Sequence, residues 1–251
     1  MFPPAEMAKN AALLLPPVRA AADRRAVTGI LGDPEQGERI LGEMCRFVDR
    51  PLDGLRVLEL GPGHGSMLAA AAVASGARYA AFDIRATLPS AEVERLDIDY
   101  RTDPAGALSW PDDTFDVVWS YSVLEHVTHP DALLADVHRV LRPGGRTVAL
   151  IDLTTHAHGR RDPRLMFEFL RFSERTWRLM TSNRSIYVNR LRRSEWRDAY
   201  ERAGFAVVGE EADAWTDRLD EFRQVPWLDD LSDEDASTRH LWLAGEVAGV
   251  S

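Results

Sequence analysis

Cysteine is all but missing: Cys45 stands alone among 251 residues. A single thiol excludes an intrachain disulfide framework and any Cys-x-x-Cys metal site. Basic charge is in deficit, with 30 Lys and Arg against 40 Asp and Glu and a net charge of −10. That balance disfavours nonspecific binding to nucleic acid or to an anionic membrane, since both draw on a surplus of cations. No run approaches the ~20 consecutive apolar residues that span a bilayer. The apolar stretch at 11–15 is short, lacks an early basic region and a cleavage site, and runs into Pro16 and Pro17. No secretory signal is expected, and the chain reads as cytoplasmic. What is present is ordinary for a folded protein: 45% hydrophobic and 28% charged residues, in a length that suits one elaborated α/β domain.

Residues 1–50 are Ala-rich and charged, interrupted at Pro16 and Pro17 and again at Gly32, Asp33 and Pro34. They predict two or three short helices, the last over 35–48, serving as a lid or cap or as a homodimer interface. Beyond residue 51 the texture changes to short apolar runs alternating with helical patterns. Strands are expected at 56–60, 78–83, 93–98, 115–120 and 146–152, and helices at 67–75, 131–141 and 194–203. A strand at 205–210 and an apolar run at 240–247 close the series. Strands spaced this way by helices indicate a parallel sheet of βαβ units. An aromatic and arginine-rich insertion at about 153–193 breaks the rhythm within the domain at 51–251.

The most informative stretch is Val-Leu-Glu-Leu-Gly-Pro-Gly-His-Gly-Ser at 57–66. Glycines between a strand and a helix let the backbone turn sharply and let a ligand approach without interference from Cβ. The spacing of Gly61, Gly63 and Gly65 departs from the dinucleotide fingerprint, which places its third glycine three positions after the second; position 66 is serine. Glu59, an acid entering the turn, suits a cationic ligand better than a pyrophosphate. Asp83, closing the second strand, stands where a carboxylate can accept bonds from both hydroxyls of a ribose.

With these residues in hand, 57–66 resembles the first motif of class I S-adenosylmethionine-dependent methyltransferases, and Ala-Phe-Asp-Ile at 81–84 resembles their second. The segment at 111–127, through Phe115 to His126, is similar to the family's fourth-strand region, and 133–145, ending Val-Leu-Arg-Pro-Gly-Gly, to the helix and turn before strand five. The matches keep the family's order across about 55–150. The resemblance implies a Rossmann-like α/β fold: a seven-stranded, mostly parallel sheet with helices on both faces and an antiparallel last strand, for which 238–247 is available. It further implies S-adenosylmethionine as cofactor, with Glu59, Gly61 and Gly63 at its methionine end, Asp83 on the ribose and Ile84 against the adenine. Asp97 and Ile98, read as the end of strand three, are assigned the adenine amine and face, with Asp103 as the substitute. Ser120 and Tyr121 lie beside the sulfonium in this reading.

Methyl transfer to a neutral amine needs little more than positioning, whereas a hydroxyl must lose its proton to a base or a metal. The best-placed base cluster is Asp152 with His156 and His158, at the end of strand five. Asp152 would orient His156 to take the proton; with His158 and Asp162 the group would also suit an octahedral divalent ion, but no metal is assigned. His126, after strand four, is the second candidate base. The insertion carries Phe167, Phe169, Phe172, Trp177 and Tyr187 among arginines, which suits a lid over a polar small molecule better than stacking on nucleic acid. Its segment at 170–196 resembles methyltransferases of glycan and natural-product biosynthesis, which points to a hydroxyl of a sugar or similar acceptor. An amine acceptor, an NAD(P)-linked oxidoreductase with an atypical turn and a noncatalytic nucleoside-binding protein are the competing readings.

Overall fold

The computed structural model describes residues 3–24, 28–29, 33–156 and 163–249; His158 and Asp162 lie outside these. Seven strands, β1 (Arg56–Leu60), β2 (Arg78–Asp83), β3 (Asp99–Thr102), β4 (Phe115–Tyr121), β5 (Leu141–Asp152), β6 (Phe205–Ala214) and β7 (Thr238–Val247), form one sheet. Its order is β3-β2-β1-β4-β5-β7-β6. The first five strands pair in parallel, and β7 runs antiparallel to both β5 and β6. This is the seven-stranded, mostly parallel sheet with a reversed last strand that the family resemblance implies.

The helices are α1 (Pro3–Ala12), α2 (Pro16–Asp23), α3 (Pro34–Cys45), α4 (Met67–Ala74), α5 (Ser90–Leu96), α6 (Pro130–Val140), α7 (Pro163–Met166), α8 (Glu174–Thr181), α9 (Arg193–Arg202), α10 (Leu219–Phe222) and α11 (Asp233–Ser237). Alternation along the strands sends successive side chains to opposite faces. On one face Val57, Ala81, Val117 and Trp119 pack with Ile40, Leu41 and Met44 of α3 and Leu68 and Ala72 of α4. On the other, Leu58, Leu60 and Val118 pack with Leu134 and Val137 of α6 and Trp196 and Tyr200 of α9. α3 therefore contributes to the core of the sheet. α1 is held elsewhere: buried Asn10 donates to Leu179 O at 3.1 Å and accepts from Asn183 N at 2.8 Å, tying α1 to the end of α8.

A third core lies away from the sheet. Met166, Phe167, Phe169, Phe172, Trp177, Met180, Tyr187 and Val188 pack with Phe222, Val225 and Leu228, with Met7, Trp215 and Trp227 partly buried against them. The insertion is thus one part of a cap that draws on α1, on residues 166–191 and on 215–231. The sequence reading assigned no structure between 211 and 237, where α10 and α11 stand.

Two expectations are corrected. Residues 93–98 are not the third strand. Val93 and Leu96 recur at helical spacing in α5, Glu92 sits in its first turn and Arg95 in its last, the charge order that complements a helix dipole. Asp97 then ends the helix at φ 52°, and β3 begins only at Asp99. Because Ala80 pairs with Asp99 and Asp83 with Thr102, Asp97 and Ile98 fall at the amino end of β3, while Asp83 marks the carboxyl edge. The other correction concerns β5, which starts at Leu141 rather than 146. Its register against β4 shifts between Phe115 and Val117 and absorbs Pro143, Gly144 and Gly145.

Candidate active site

Strand order reverses between β1 and β4, and in open α/β sheets ligands bind at the carboxyl edge beside such a switch point. Leu60 pairs with Ser120 there, so the glycine turn leaving β1 and the turn leaving β4 are neighbours. Gly61 and Gly63 have φ of +67° and +62°. A Cβ at 61 would meet the Val123 side chain at 2.6 Å, and one at 63 would meet the Thr28 backbone at 2.7 Å. Both positions require glycine for conformation and for space. Thr28 lies directly over this turn: its carbonyl accepts from His64 N at 2.7 Å and its amide donates to His64 Nδ1 at 3.2 Å.

Asp83 closes β2 with its carboxylate aimed along the edge. It accepts from Gly63 N at 3.3 Å, Thr87 Oγ1 at 3.0 Å and Arg85 N at 3.3 Å. These bonds fix its orientation and leave acceptor capacity on a group with about four lone-pair sites. Ile84, next along the edge, is 47% exposed, an apolar surface beside a carboxylate. Asp103 N donates to Asp83 O at 3.2 Å, which puts Asp103, not Asp97, at this end of the sheet. Glu59 is buried below the turn, accepts from Tyr79 Oη at 2.9 Å, and Tyr79 Oη accepts from Trp119 Nε1 at 3.0 Å. Burial, with a smaller push from the Asp83 charge, raises the Glu59 carboxyl to about 8; burial likewise raises the Tyr79 hydroxyl. Ser120 is buried and Tyr121 half-buried, its ring edge-on to Trp242 with centroids 6.2 Å apart.

A polar cluster stands at the ends of β4 and β5, on the same carboxyl edge of the sheet as the glycine turn. Asp152, the last residue of β5, is buried and accepts from Thr154 N at 2.9 Å and Thr154 Oγ1 at 2.6 Å. His156 Nε2 lies 3.3 Å from its Oδ2. His126 and His156 meet edge to face with ring centroids 4.7 Å apart, and His126 Nδ1 lies 2.6 Å from Tyr187 O. The structure therefore brings all three expected base residues together. It adds Glu125, 1% exposed beside them, and His240, whose Nε2 lies 3.9 Å from Asp152 Oδ1 and whose Nδ1 lies 2.9 Å from Asp213 Oδ2.

Residues 187–191 form the wall of this cluster. Asn189 donates from its amide to Glu125 O at 2.7 Å, and from Nδ2 to Leu124 O at 2.7 Å and Val127 O at 3.1 Å. A cavity between the two segments is lined by Glu125, Asp152, Phe169, Asn189 and Arg190. Arg190 adopts φ 74°, a left-handed conformation uncommon for a residue with a side chain. Arg192 is buried, donates to Leu153 O at 2.8 Å, Asp235 O at 2.9 Å and Thr238 O at 2.7 Å, and lies over the Phe167 ring at 4.5 Å. Burial lowers its guanidinium to about 10. The insertion's aromatics are buried as well, so they serve as core rather than as an exposed stacking surface for bases.

A family model described as a methyltransferase domain matches residues 35–210. The chain belongs to the methyltransferase-domain family. Its class I fold is the one that takes S-adenosylmethionine. Among solved structures, an S-adenosylmethionine-dependent methyltransferase from Mesorhizobium loti superposes with a TM-score of 0.55 at 22% identity, covering 86% of this chain and 98% of that one. Phosphoethanolamine N-methyltransferase 2 from Haemonchus contortus, in complex with S-adenosylhomocysteine, gives a TM-score of 0.56 at 20% identity over 85% of this chain and 52% of that one. At these identities they establish the fold. In sequence, a ubiquinone biosynthesis O-methyltransferase from Brucella ovis is 38% identical over 115 residues, covering 44% of this chain and 46% of that protein. The chain spans about half the length of the curated relatives it matches.

Sequence reasoning on this methyltransferase-family chain did not single out Glu125, Asn189 or His240, and named Tyr187 only among the aromatics of a lid. Glu125 sits inside the fourth-strand motif next to His126, so an acid–imidazole pair at the end of a strand was a usable signal. The others come from the cap and from β7, and no local pattern ties them to β4.

Proposed function

We propose that this chain transfers the methyl group of S-adenosylmethionine to a hydroxyl oxygen of a small polar acceptor, and does so in the cytoplasm. The observation that carries the reading is that an oriented carboxylate beside a glycine turn and an Asp152–His156–His126 cluster share one carboxyl edge of the sheet. The donor set fits the cofactor. Asp83 retains capacity for ribose hydroxyls, Ile84 offers an uncovered apolar side chain for the adenine, and the turn presents backbone with no Cβ in the way. Glu59, buried below the turn with its carboxyl raised to about 8, stands under the methionine end, and Asp103 takes the place first given to Asp97. Ser120 and Tyr121 stand next to the turn, where the reactive sulfur belongs.

S-adenosylmethionine supplies an electrophilic methyl group on a sulfonium. The rest of the task falls to the protein: align the acceptor oxygen with that carbon, keep water out and remove the hydroxyl proton. Asp152 holds His156 at the end of β5, and His126 flanks it, so proton removal is assigned to this cluster. Phe169 and residues 188–191 of the cap line the cavity beside Glu125 and Asp152, which supports a role for the cap over the acceptor. Similarity to a protein named as an O-methyltransferase supports hydroxyl over amine. The acceptor class is a sugar or comparable polyhydroxylated intermediate.

The test uses labelled S-adenosylmethionine with a panel of sugars, phenols and amines. His156→Ala is expected to lower turnover of the best hydroxyl acceptor by roughly 10²–10⁴-fold, the range of a lost acid–base group. S-adenosylhomocysteine affinity, measured by calorimetry, should stay unchanged. Transfer confined to amines, or full turnover in the variant, would overturn the reading.

A further inference from the structure

We infer that Glu125, His126 and His156 form a binding site for a divalent transition-metal ion of the zinc type. The inference deepens the O-methylation reading: it relies on that reading for the ion's use, though not for its binding. One ligand atom from each of the three side chains lies within 4.8 Å of the others. An ion with bonds of about 2.0–2.2 Å to nitrogen and oxygen would draw such a set together by small side-chain rotations. Glu125 and His126 sit on a short 3-10 helix (Leu124–His126) just beyond β4, and His156 follows β5 by four residues. Tyr121 pairs with Leu150 on these adjacent parallel strands, so the two ligand-bearing segments leave the sheet side by side.

The outer contacts are those of a metal ligand sphere. His126 Nδ1 lies 2.6 Å from Tyr187 O. With its Nδ1–H donated to that carbonyl, Nε2 carries the lone pair. His156 Nε2 lies 3.3 Å from Asp152 Oδ2, a carboxylate–histidine contact of the kind that sets tautomer and basicity in metal sites. Glu125 is 1% exposed, and a carboxylate so deeply buried gains most from a nearby cation. Two imidazoles with one carboxylate select zinc, cobalt or ferrous iron over magnesium, which prefers oxygen alone.

Three protein ligands leave a coordination position open, as in catalytic zinc sites. Glu125 and Asp152 also line the small adjoining cavity, from which a single hydroxyl group would reach that position. Coordination lowers the pKa of the hydroxyl. Its O–H bond breaks and the proton passes to Asp152. The oxygen lone pair forms the bond to the methyl carbon as the carbon–sulfur pair returns to sulfur, leaving S-adenosylhomocysteine.

The test is a titration of the EDTA-stripped full chain with Co²⁺, followed by its visible absorption bands, and with Zn²⁺ and Mg²⁺ by calorimetry. One equivalent of Co²⁺ or Zn²⁺ is expected to bind, with Mg²⁺ at least 100-fold weaker. His126→Ala and His156→Ala should each weaken Co²⁺ by more than 10-fold and alter its spectrum. Glu125→Gln serves as a third variant, and S-adenosylhomocysteine binding reports that each protein is folded. Absence of saturable Co²⁺ binding in a protein that binds S-adenosylhomocysteine would overturn the metal site and leave the methyltransferase reading standing. Undiminished Co²⁺ binding in both histidine variants would overturn it equally. Saturable, histidine-dependent Co²⁺ binding in a protein that ignores S-adenosylhomocysteine would support the site and defeat the methyltransferase reading.

Discussion

From residue 56 to residue 103 one uninterrupted stretch of chain supplies Glu59, the glycine turn, Asp83 and Asp103. Across the switch point, Glu125, His156 and the stretch from Tyr187 to Arg190 come from three separate segments, and Arg192 joins two more to the end of β5 through Leu153, Asp235 and Thr238. The first half is made largely of backbone geometry and one oriented carboxylate. The second is made of side chains held by other side chains and by the cap. A site built by local turns tolerates change elsewhere in the molecule; one assembled from distant parts depends on whatever clamps them.

The sharpest way to break this contrast is Arg192→Leu. Its loss strands carbonyls of Leu153, Asp235 and Thr238 in a buried setting, and a cost of about 3–5 kcal/mol is expected. Thermal unfolding should show the loss, and S-adenosylhomocysteine affinity should hold within a few-fold if the two halves are separable. The converse variant, Asp83→Asn, is expected to cost 10- to 100-fold in S-adenosylhomocysteine affinity, about 1.4–2.7 kcal/mol. Calorimetry gives the affinity, and the melting temperature should barely move.

Glu59 sharpens the comparison through pH. Its carboxyl rises from an ordinary 4.5 to about 8 in the fold, so the native protein keeps a proton that the unfolded chain releases. Stability should therefore fall as pH rises between about 4.5 and 8, by at most ~1.4 kcal/mol per pH unit, and level off above that. Urea unfolding across that window should lose this slope in Glu59→Gln. The smallest effect belongs to the far edge of the cap: Asn10→Ala removes the bonds between α1 and α8 and is expected to cost about 1 kcal/mol. Its signature is faster amide exchange in α8 with unchanged exchange in β1 and β2.

Legibility in the sequence followed the same divide. Strands β1, β2 and β4 are buried runs such as Arg-Val-Leu-Glu-Leu, bounded by turns, and their pattern is local. β3 escaped because Asp-Tyr-Arg-Thr is a polar edge strand, while the helical Val93 and Leu96 lent their apolar character to a false strand. Asp97 was displaced with it, and Asp103 recovers its position. Asp152, His156 and His126 were readable as strand-end residues. Tyr187 and His240 were not, because only the packing of Phe167, Trp177 and Phe222 and the antiparallel return of β7 deliver them.

The placement of Thr28 carries one more consequence. Its main chain rests on the His64 amide and in the space beside Gly63, so Thr28 braces the bend that follows β1 from outside the sheet. A substitution at Thr28 therefore acts on that bend without altering a single sheet residue.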